Sequence, residues 1–123
     1  MIQTNNLDLF AGIPVADYAA ALIWYERLLG SSPTFFPNDI EAVWELAEHR
    51  YLYLEQRPAH AGHAKLTIFV DNIDAVVAQI AKRGLEPTLE ETYENGVRKI
   101  TYRDRDGNEI GFGGAPQPSA SGE

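Results

Sequence analysis

Cysteine is absent from the 123-residue sequence, and basic residues are scarce, with ten lysines and arginines against 18 aspartates and glutamates. Without cysteine the chain has no disulfide, no cysteine nucleophile and no zinc site built on thiolates, which fits the cytoplasmic location that we expect. The formal net charge of −8, with no cluster of basic residues, argues against nucleic acid or an anionic membrane as a partner.

Long apolar runs are missing as well. No stretch approaches the ~20 apolar residues that span a bilayer, so we expect no membrane partner. The N-terminal Met-Ile-Gln-Thr-Asn-Asn carries no basic residue of the kind that begins a secretory signal. The hydrophobic content of 45% is that of an ordinary globular protein, and the length suits a single domain over residues 1–123.

Apolar residues alternate as in strands or recur with helical spacing, in an order that occurs twice. The first half predicts a helix capped by Asp17 and ended by Gly30, together with strands at residues 7–15, 33–36, 41–46 and 50–56. The second half predicts a helix capped by Asn72 and ended by Gly84, together with strands at residues 65–70, 87–92, 97–102 and 109–113.

The two halves can be aligned on each other. Ile-Pro-Val-Ala-Asp at 13–17 matches Ile-Phe-Val-Asp-Asn at 68–72, and residues 30–35 match 84–89 in the same way. Two copies are too few for a solenoid. We therefore predict an α+β fold in which two βαβββ modules, residues 7–57 and 64–114, form a curved mixed sheet around a shared cleft. Residues 115–123 have little to bury, and we expect them to form a disordered tail.

The last predicted hairpin, at residues 104–112, reads Asp-Arg-Asp-Gly-Asn-Glu-Ile-Gly-Phe, in which Asp-Gly favours a tight turn. Further motif elements are Val-Ala-Asp at 15–17, Tyr-Glu-Arg-Leu-Leu-Gly at 25–30 and Arg-Gly at 83–84. At this spacing and in duplicate, these elements resemble the vicinal oxygen chelate superfamily of glyoxalase, bleomycin resistance and extradiol dioxygenase proteins. The resemblance covers about residues 7–114.

The resemblance implies four metal-ligand positions, seven residues before each helix cap and at the centres of the fourth and eighth strands. In this chain those positions hold Phe10, Lys65, Tyr53 and Gly111. Metal-using relatives have His, Glu or Gln there, whose lone pairs bind the ion, and all four positions lack them. We therefore predict no metal and no cofactor, with Gly111 leaving space where a carboxylate would stand.

An alternative metal site keeps the same strand faces but is displaced by two residues toward the start of each strand. It would consist of Asp8, Tyr51, His63 and Glu109, of which the aspartate, histidine and glutamate are competent ligands.

Strand alternation directs one set of side chains under the helices and the other toward the cleft. The predicted ligand-binding residues are Phe10, Tyr51, Tyr53, Glu55, Lys65, Phe69 and Gly111, with Trp44 and Tyr102 as further candidates from strands that are apolar on both faces. Aromatic walls bind flat or cationic ligands by stacking and cation–π contacts. Alternatively, the cleft is collapsed and filled by its own rings. Glu55 and Lys65 are candidate catalytic groups, or they pair with each other as a surface salt bridge.

The chain resembles most closely the metal-free bleomycin-resistance branch, whose members are small, acidic and dimeric. The resemblance implies a small-molecule-binding protein that sequesters an aromatic or cationic compound in a metal-free cleft of a homodimer, with a role in antibiotic resistance. The alternative is a metal-dependent lyase, isomerase or dioxygenase of the glyoxalase type. A third hypothesis is a metal-free isomerase or epimerase in which Glu55 and Lys65 act together.

Overall fold

The computed structural model describes residues 6–116. Their elements in chain order are β1 (Leu9–Val15), α1 (Tyr18–Leu29), β2 (Phe35–Asn38), β3 (Glu41–Ala47), β4 (Arg50–Gln56), a 3-10 turn (Pro58–His60), β5 (Lys65–Val70), α2 (Ile73–Lys82), β6 (Leu89–Thr92), β7 (Arg98–Arg103) and β8 (Glu109–Gly114). The predicted βαβββ order, occurring twice, is confirmed. Most of the predicted tail, residues 117–123, lies outside the described residues.

The strands form two four-stranded sheets, each from one half of the chain, with the orders β1-β4-β3-β2 and β5-β8-β7-β6. In each sheet the first and fourth strands of the module are parallel, and the remaining neighbours are antiparallel. The helix between the first two strands of each module allows this parallel pairing, because a parallel neighbour needs a long crossover. The predicted α+β fold of two similar modules is confirmed.

Both helices begin and end where their caps predict. The Asp17 carboxylate accepts a 3.2 Å bond from the Ala20 amide, and the Asn72 side chain accepts a 3.1 Å bond from the Ala75 amide. Gly30, with a φ of 80°, takes the left-handed conformation that ends α1 at little cost for glycine.

Strand boundaries differ from the prediction mainly at sheet edges. β1 begins at Leu9 rather than at residue 7, because its parallel partner β4 begins at Arg50, the residue opposite Leu9. β2 extends through Pro37 to Asn38, where we expected a turn. Proline has no N–H to donate, and β2 tolerates it because β2 is an edge strand with an irregular register.

One hydrophobic core contains buried residues of both sheets and both helices. Strand alternation supplies it from one face of each sheet, and its fully buried members include Ile13, Leu52 and Leu54 from the first module and Ile80, Ile100 and Ile110 from the second. Each such side chain contributes roughly 1.5–3 kcal/mol of transfer free energy. The second face of each sheet is therefore turned away from the core.

The hairpin between β7 and β8 ties the two modules together through Asn108, which is fully buried. Its Nδ2 donates to the Pro14 carbonyl at 2.9 Å, and its Oδ1 accepts from the amides of Gly62 and Ala64 at 3.1 and 2.9 Å. The Asp104 Oδ1 atom closes the turn by accepting three backbone amides, those of residues 106, 107 and 108. The motif that suggested the fold is thus also the polar junction of its halves.

Arg83 joins the two helices. Its guanidinium donates to the Leu28 carbonyl at 3.1 Å and to the Arg27 carbonyl, both at the end of α1. The last carbonyls of a helix lack intrahelical donors and carry partial negative charge, so a cation there is favourable.

Candidate functional site

The outward face of the first sheet is aromatic. We call it the aromatic face, and it consists of Phe10, Phe35, Val43, Tyr51 and Tyr53. Those on β1, β3 and β4 alternate with core residues, and Phe35 on β2 is the register partner of Val43. The Phe10 and Tyr51 rings stack at 4.4 Å with an interplanar angle of 8°. The Tyr53 ring meets Phe10 edge-on at 6.5 Å. Phe10 nevertheless stays 47% exposed, so the rings form a preassembled, open surface.

Gly12 lets this surface lie close to the strand. A Cβ at Gly12 would sit 2.6 Å from the Cζ and Oη atoms of Tyr53, closer than any side chain tolerates. Gly12 is the register partner of Tyr53, and its missing side chain leaves room for the Tyr53 ring against β1. Beside it lies a pocket of about 200 Å³ whose lining includes Pro14, Glu55 and His60.

Glu55 stands at the rim of the aromatic face and forms an ion pair with Arg57 at 3.8 Å. Such a half-exposed ion pair contributes less than ~1 kcal/mol to the stability of the fold. Within the described residues Glu55 and Lys65 form no ion pair, so the expectation that they pair with each other is wrong for the single chain. The two candidate catalytic groups lie on different sheets.

The outward face of the second sheet carries two lysines. We call it the lysine face, and it consists of Lys65, Thr67, Phe69, Lys99 and Thr101, arranged around Gly111 and Gly113. The Phe69 ring covers Gly113, where an added Cβ would come within 2.9 Å of the ring. Phe69 is still 62% exposed.

The expected space at Gly111 is taken by Lys99. A Cβ at Gly111 would sit 2.7 Å from the Lys99 Cε atom, because the lysine stem crosses the glycine from the neighbouring strand β7. The prediction of an empty position was therefore wrong, and Lys99 is a residue of this face that sequence reasoning missed. β7 has Ile100 and Tyr102 on the core face, and this parity would have placed Lys99 on the other side.

Trp44 and Tyr102 are core residues, and their assignment as ligand-binding residues is corrected. Trp44 is 2% exposed, and its indole nitrogen donates to the Ser31 carbonyl at 2.9 Å. Tyr102 is 1% exposed and packs edge-on against Phe112 at 5.9 Å. Both alternate with outward residues on their strands, which decides their face once the register is known.

The four superfamily metal positions do not suit a metal ion. Phe10 and Tyr53 belong to the aromatic face, while Lys65 and Gly111 belong to the lysine face. Phenylalanine and glycine offer no side-chain donor, and lysine presents a cation unless it is strongly desolvated.

The displaced metal set is not assembled within one chain. The Asp8 carboxylate lies 2.6 Å from His49 Nδ1, and Glu109 accepts a 2.9 Å bond from Arg103. Within residues 6–116, no three histidine, aspartate or glutamate side chains come close enough together to bind a metal. In this part of the chain, His63 and Tyr51 therefore belong to no cluster of metal-binding side chains.

The two outward faces are separate surfaces in the single chain. Within the described part, no hydrogen bond, ion pair or ring contact joins the aromatic face to the lysine face. Neither helix in residues 6–116 has the length and apolar character needed to cross a membrane.

Paired βαβββ modules with outward faces of this kind define the glyoxalase-like class of folds. The chain belongs to the Glyoxalase/Bleomycin resistance protein/Dioxygenase superfamily, which matches it over residues 6–112. This confirms the resemblance inferred from the hairpin and the helix caps. No protein among the curated ones matches the sequence significantly.

Solved structures agree with this assignment. A glyoxalase/bleomycin resistance protein from Catenulispora acidiphila is 55% identical, with a TM-score of 0.88, covering 90% of this chain and 100% of its own. A bleomycin-binding protein complexed with bleomycin is 18% identical, with a TM-score of 0.71, covering 89% and 98%. A lactoylglutathione lyase from Agrobacterium tumefaciens is 13% identical, with a TM-score of 0.71, covering 91% and 95%. At such low identity the last two share the fold alone.

Proposed function

We propose that the protein binds a small aromatic molecule, without changing it chemically, in clefts between two copies of the chain. The observation that carries this proposal is the aromatic face, where Phe10, Tyr51 and Tyr53 are already in ring contact and yet open. Each stacked or edge-on contact with a desolvated ligand contributes roughly 0.5–1.5 kcal/mol beyond area burial.

The second copy is required because neither outward face is closed by its own chain. Phe35 is 44% exposed on the aromatic face, and Leu89 is 51% exposed beside the lysine face. Contiguous exposed apolar surface of this kind marks an interaction site. In a twofold dimer, each aromatic face would lie opposite the lysine face of the other copy, giving two identical clefts.

Charge supports the same pairing. The border of the aromatic face carries Glu41, Glu45 and Glu55, on β3 and β4. The lysine face carries Lys65 and Lys99 on strands β5 and β7. Opposite potentials across an interface steer association and fix its register, which favours this arrangement over like faces meeting.

The wider proposal follows the bleomycin-resistance branch. A structure whose ligand is bleomycin shares the fold, and the superfamily is established for this chain. We extend this to sequestration of a toxic aromatic compound in the cytoplasm. Expression in a sensitive bacterium should then raise the inhibitory concentration of that compound, and the Phe10→Ala variant should not.

A metal-dependent lyase, isomerase or dioxygenase is the other function known to this fold. It needs side chains that hold a metal ion, which then polarises the vicinal oxygens of the substrate, and none of the four superfamily positions carries the His, Glu or Gln of metal-using relatives. Metal analysis of protein purified without a histidine tag separates the two functions. A stoichiometric divalent ion that is lost in His63→Ala would overturn our proposal.

The direct test measures the molar mass of the protein in solution and its affinity for an aromatic probe. Light scattering after size exclusion should give twice the 13.7 kDa chain mass, and calorimetry should detect binding of 2-naphthamide, a neutral flat probe. Phe10→Ala should weaken that binding about tenfold. Ile23→Ala is the matched control, because Ile23 is 55% exposed on α1 and away from both faces. A monomer, or equal loss in both variants, would refute the proposal.

A further inference from the structure

We infer that the lysine face contains an anion subsite beside Gly111, at the end of the Lys99 side chain, so that the ligand is an aromatic compound with a carboxylate, sulfonate or phosphate group. This inference rests on the proposed function and names the ligand class. It departs from the cationic ligand that the aromatic residues alone suggested.

The distribution of lysine is the first observation. The chain contains three lysines, and two of them, Lys65 and Lys99, lie on this one face. The third, Lys82, lies at the end of α2. Within residues 6–116 the side chains of Lys65 and Lys99 make no hydrogen bond and no ion pair. Two unpaired ammonium groups on one face of a chain with a net charge of −8 form a local exception to its acidic surface.

Gly111 gives the subsite its shape. The missing side chain lets the end of Lys99 cross the strand, with its Cε 2.7 Å from where a Cβ would stand. The Thr101 Oγ1 atom lies 3.6 Å from the same point, and Thr67 is the register partner of Gly111 on the other side. The end of the Lys99 side chain and the Thr101 hydroxyl thus lie near one point of the face, and an ammonium beside a hydroxyl suits an oxyanion by charge-assisted hydrogen bonding.

Two acids lie near this face. Glu109 accepts the 2.9 Å bond from Arg103, so these two charges offset each other. Glu91 faces Lys99 in the register of β6 and β7 but forms no ion pair with it in the described chain, and its one side-chain partner is the neutral Tyr93 hydroxyl at 3.5 Å. Two lysines against the charge of Glu91 leave the face with an excess of one positive charge.

Phe69 completes the case for an aromatic anion rather than a simple ion. Its exposed ring covers Gly113, two residues beyond Gly111 on the same strand and face. A flat ligand can therefore lie against Phe69 while its charged group reaches Lys99. In the proposed dimer, the aromatic face of the second copy would cover the other side of the ligand.

The test compares three probes of one shape in the full-length protein, namely 2-naphthoate, 2-naphthamide and 2-naphthylmethylammonium. Calorimetry at low salt should give an affinity for naphthoate at least tenfold above that for naphthamide, with the cation weakest. The naphthoate advantage should shrink as salt is added.

Variants locate the subsite. Lys99→Met and Lys65→Met should each lower the affinity for naphthoate about tenfold and leave the affinity for naphthamide unchanged. Lys82→Met is the matched control and should alter neither. Gly111→Ala keeps both charges but displaces the end of Lys99, so it should also weaken naphthoate selectively.

Each outcome separates the two proposals. Equal affinity for all three probes would overturn the anion subsite and leave aromatic binding intact. If no naphthyl probe binds, aromatic binding fails, and thermal stabilisation by inorganic phosphate decides the subsite. Stabilisation that is lost in Lys99→Met supports it, and its absence refutes it. Light scattering verifies that Lys99→Met is a dimer, because the lysine face also meets the second copy in the proposed dimer. If Lys99→Met is monomeric, Gly111→Ala, which keeps both charges, decides the subsite, and an unchanged naphthoate affinity of that variant refutes it.

Discussion

The Tyr25 hydroxyl donates a 2.7 Å hydrogen bond to the Asp104 Oδ2 atom, and this bond joins α1 of the first module to the β7–β8 hairpin of the second. Tyr25 is fully buried, and Asp104 is nearly so. Asp104 Oδ2 also accepts from Asn108 Nδ2 at 2.8 Å, while its other oxygen closes the turn. A carboxylate can stay buried here because both of its oxygens have several donors.

Tyr25→Phe should destabilise the protein by about 1.5–3 kcal/mol, because the Asp104 carboxylate loses a buried hydrogen-bond donor. Urea unfolding followed by circular dichroism measures the change. A loss below ~0.5 kcal/mol would mean that the junction does not depend on this bond.

Tyr102→Phe is the matched substitution with the opposite expectation. The Tyr102 hydroxyl is the one buried side-chain polar atom in residues 6–116 without a hydrogen-bond partner. Burying an unpaired hydroxyl costs roughly 1–3 kcal/mol, so removing it should leave stability unchanged or raise it. The same urea titration, run beside Tyr25→Phe, compares two substitutions of identical chemistry. Destabilisation equal to that of Tyr25→Phe would show that loss of the hydroxyl from its pocket costs stability in itself.

Asn108→Ala should lower the free energy of unfolding by about 2–4 kcal/mol. It leaves the Pro14 carbonyl and the amides of Gly62 and Ala64 at the module junction without hydrogen-bond partners. Hydrogen exchange should rise most at residues 62–64 and at β1, where the partners are lost. Asn95→Ala is the control, since Asn95 holds a turn in the second module only, through a single bond to the Val97 amide. Equal effects of both substitutions would contradict a junction role.

Features that depend on neighbours in sequence were predictable. Asp17 and Asn72 cap their helices through amides three residues away, so short-range chemistry identified them. The Asp-Gly turn after Asp104 followed from the same local reasoning. Alternation also placed Phe10, Tyr53 and Lys65 on outward faces, because β1, β4 and β5 have one clearly apolar side.

Features that depend on cross-strand register were not predictable. Val43 and Trp44 are both buried although they point to opposite faces of β3, so burial alone could not assign them. Lys99 reaches Gly111 only because β7 and β8 pair with Lys99 opposite Gly113. That register follows from the hairpin and its buried turn, which no periodicity in the sequence reveals.

Gly12→Ala tests how the aromatic face is built. The added Cβ would collide with the Tyr53 ring, so the ring must leave its position, at a cost of roughly 1–3 kcal/mol. In a Tyr53→Ala background the same substitution should cost less than ~0.5 kcal/mol, because the colliding ring is gone. A double-mutant cycle by urea unfolding measures this coupling. An equal cost in both backgrounds would place the strain in the backbone instead.

Stability should fall as the pH rises above about 10, the ordinary pKa of tyrosine. Burial raises the pKa of Tyr25 above that value, and the Asp104 carboxylate that accepts its hydrogen bond raises it further. The unfolded chain then releases the Tyr25 proton while the folded chain keeps it, so the free energy of unfolding decreases with pH in this window. Urea titrations from pH 8 to 11 should show a smaller decrease for Tyr25→Phe than for the parent protein. Parallel pH profiles for the two proteins would show that Tyr25 is not the group responsible.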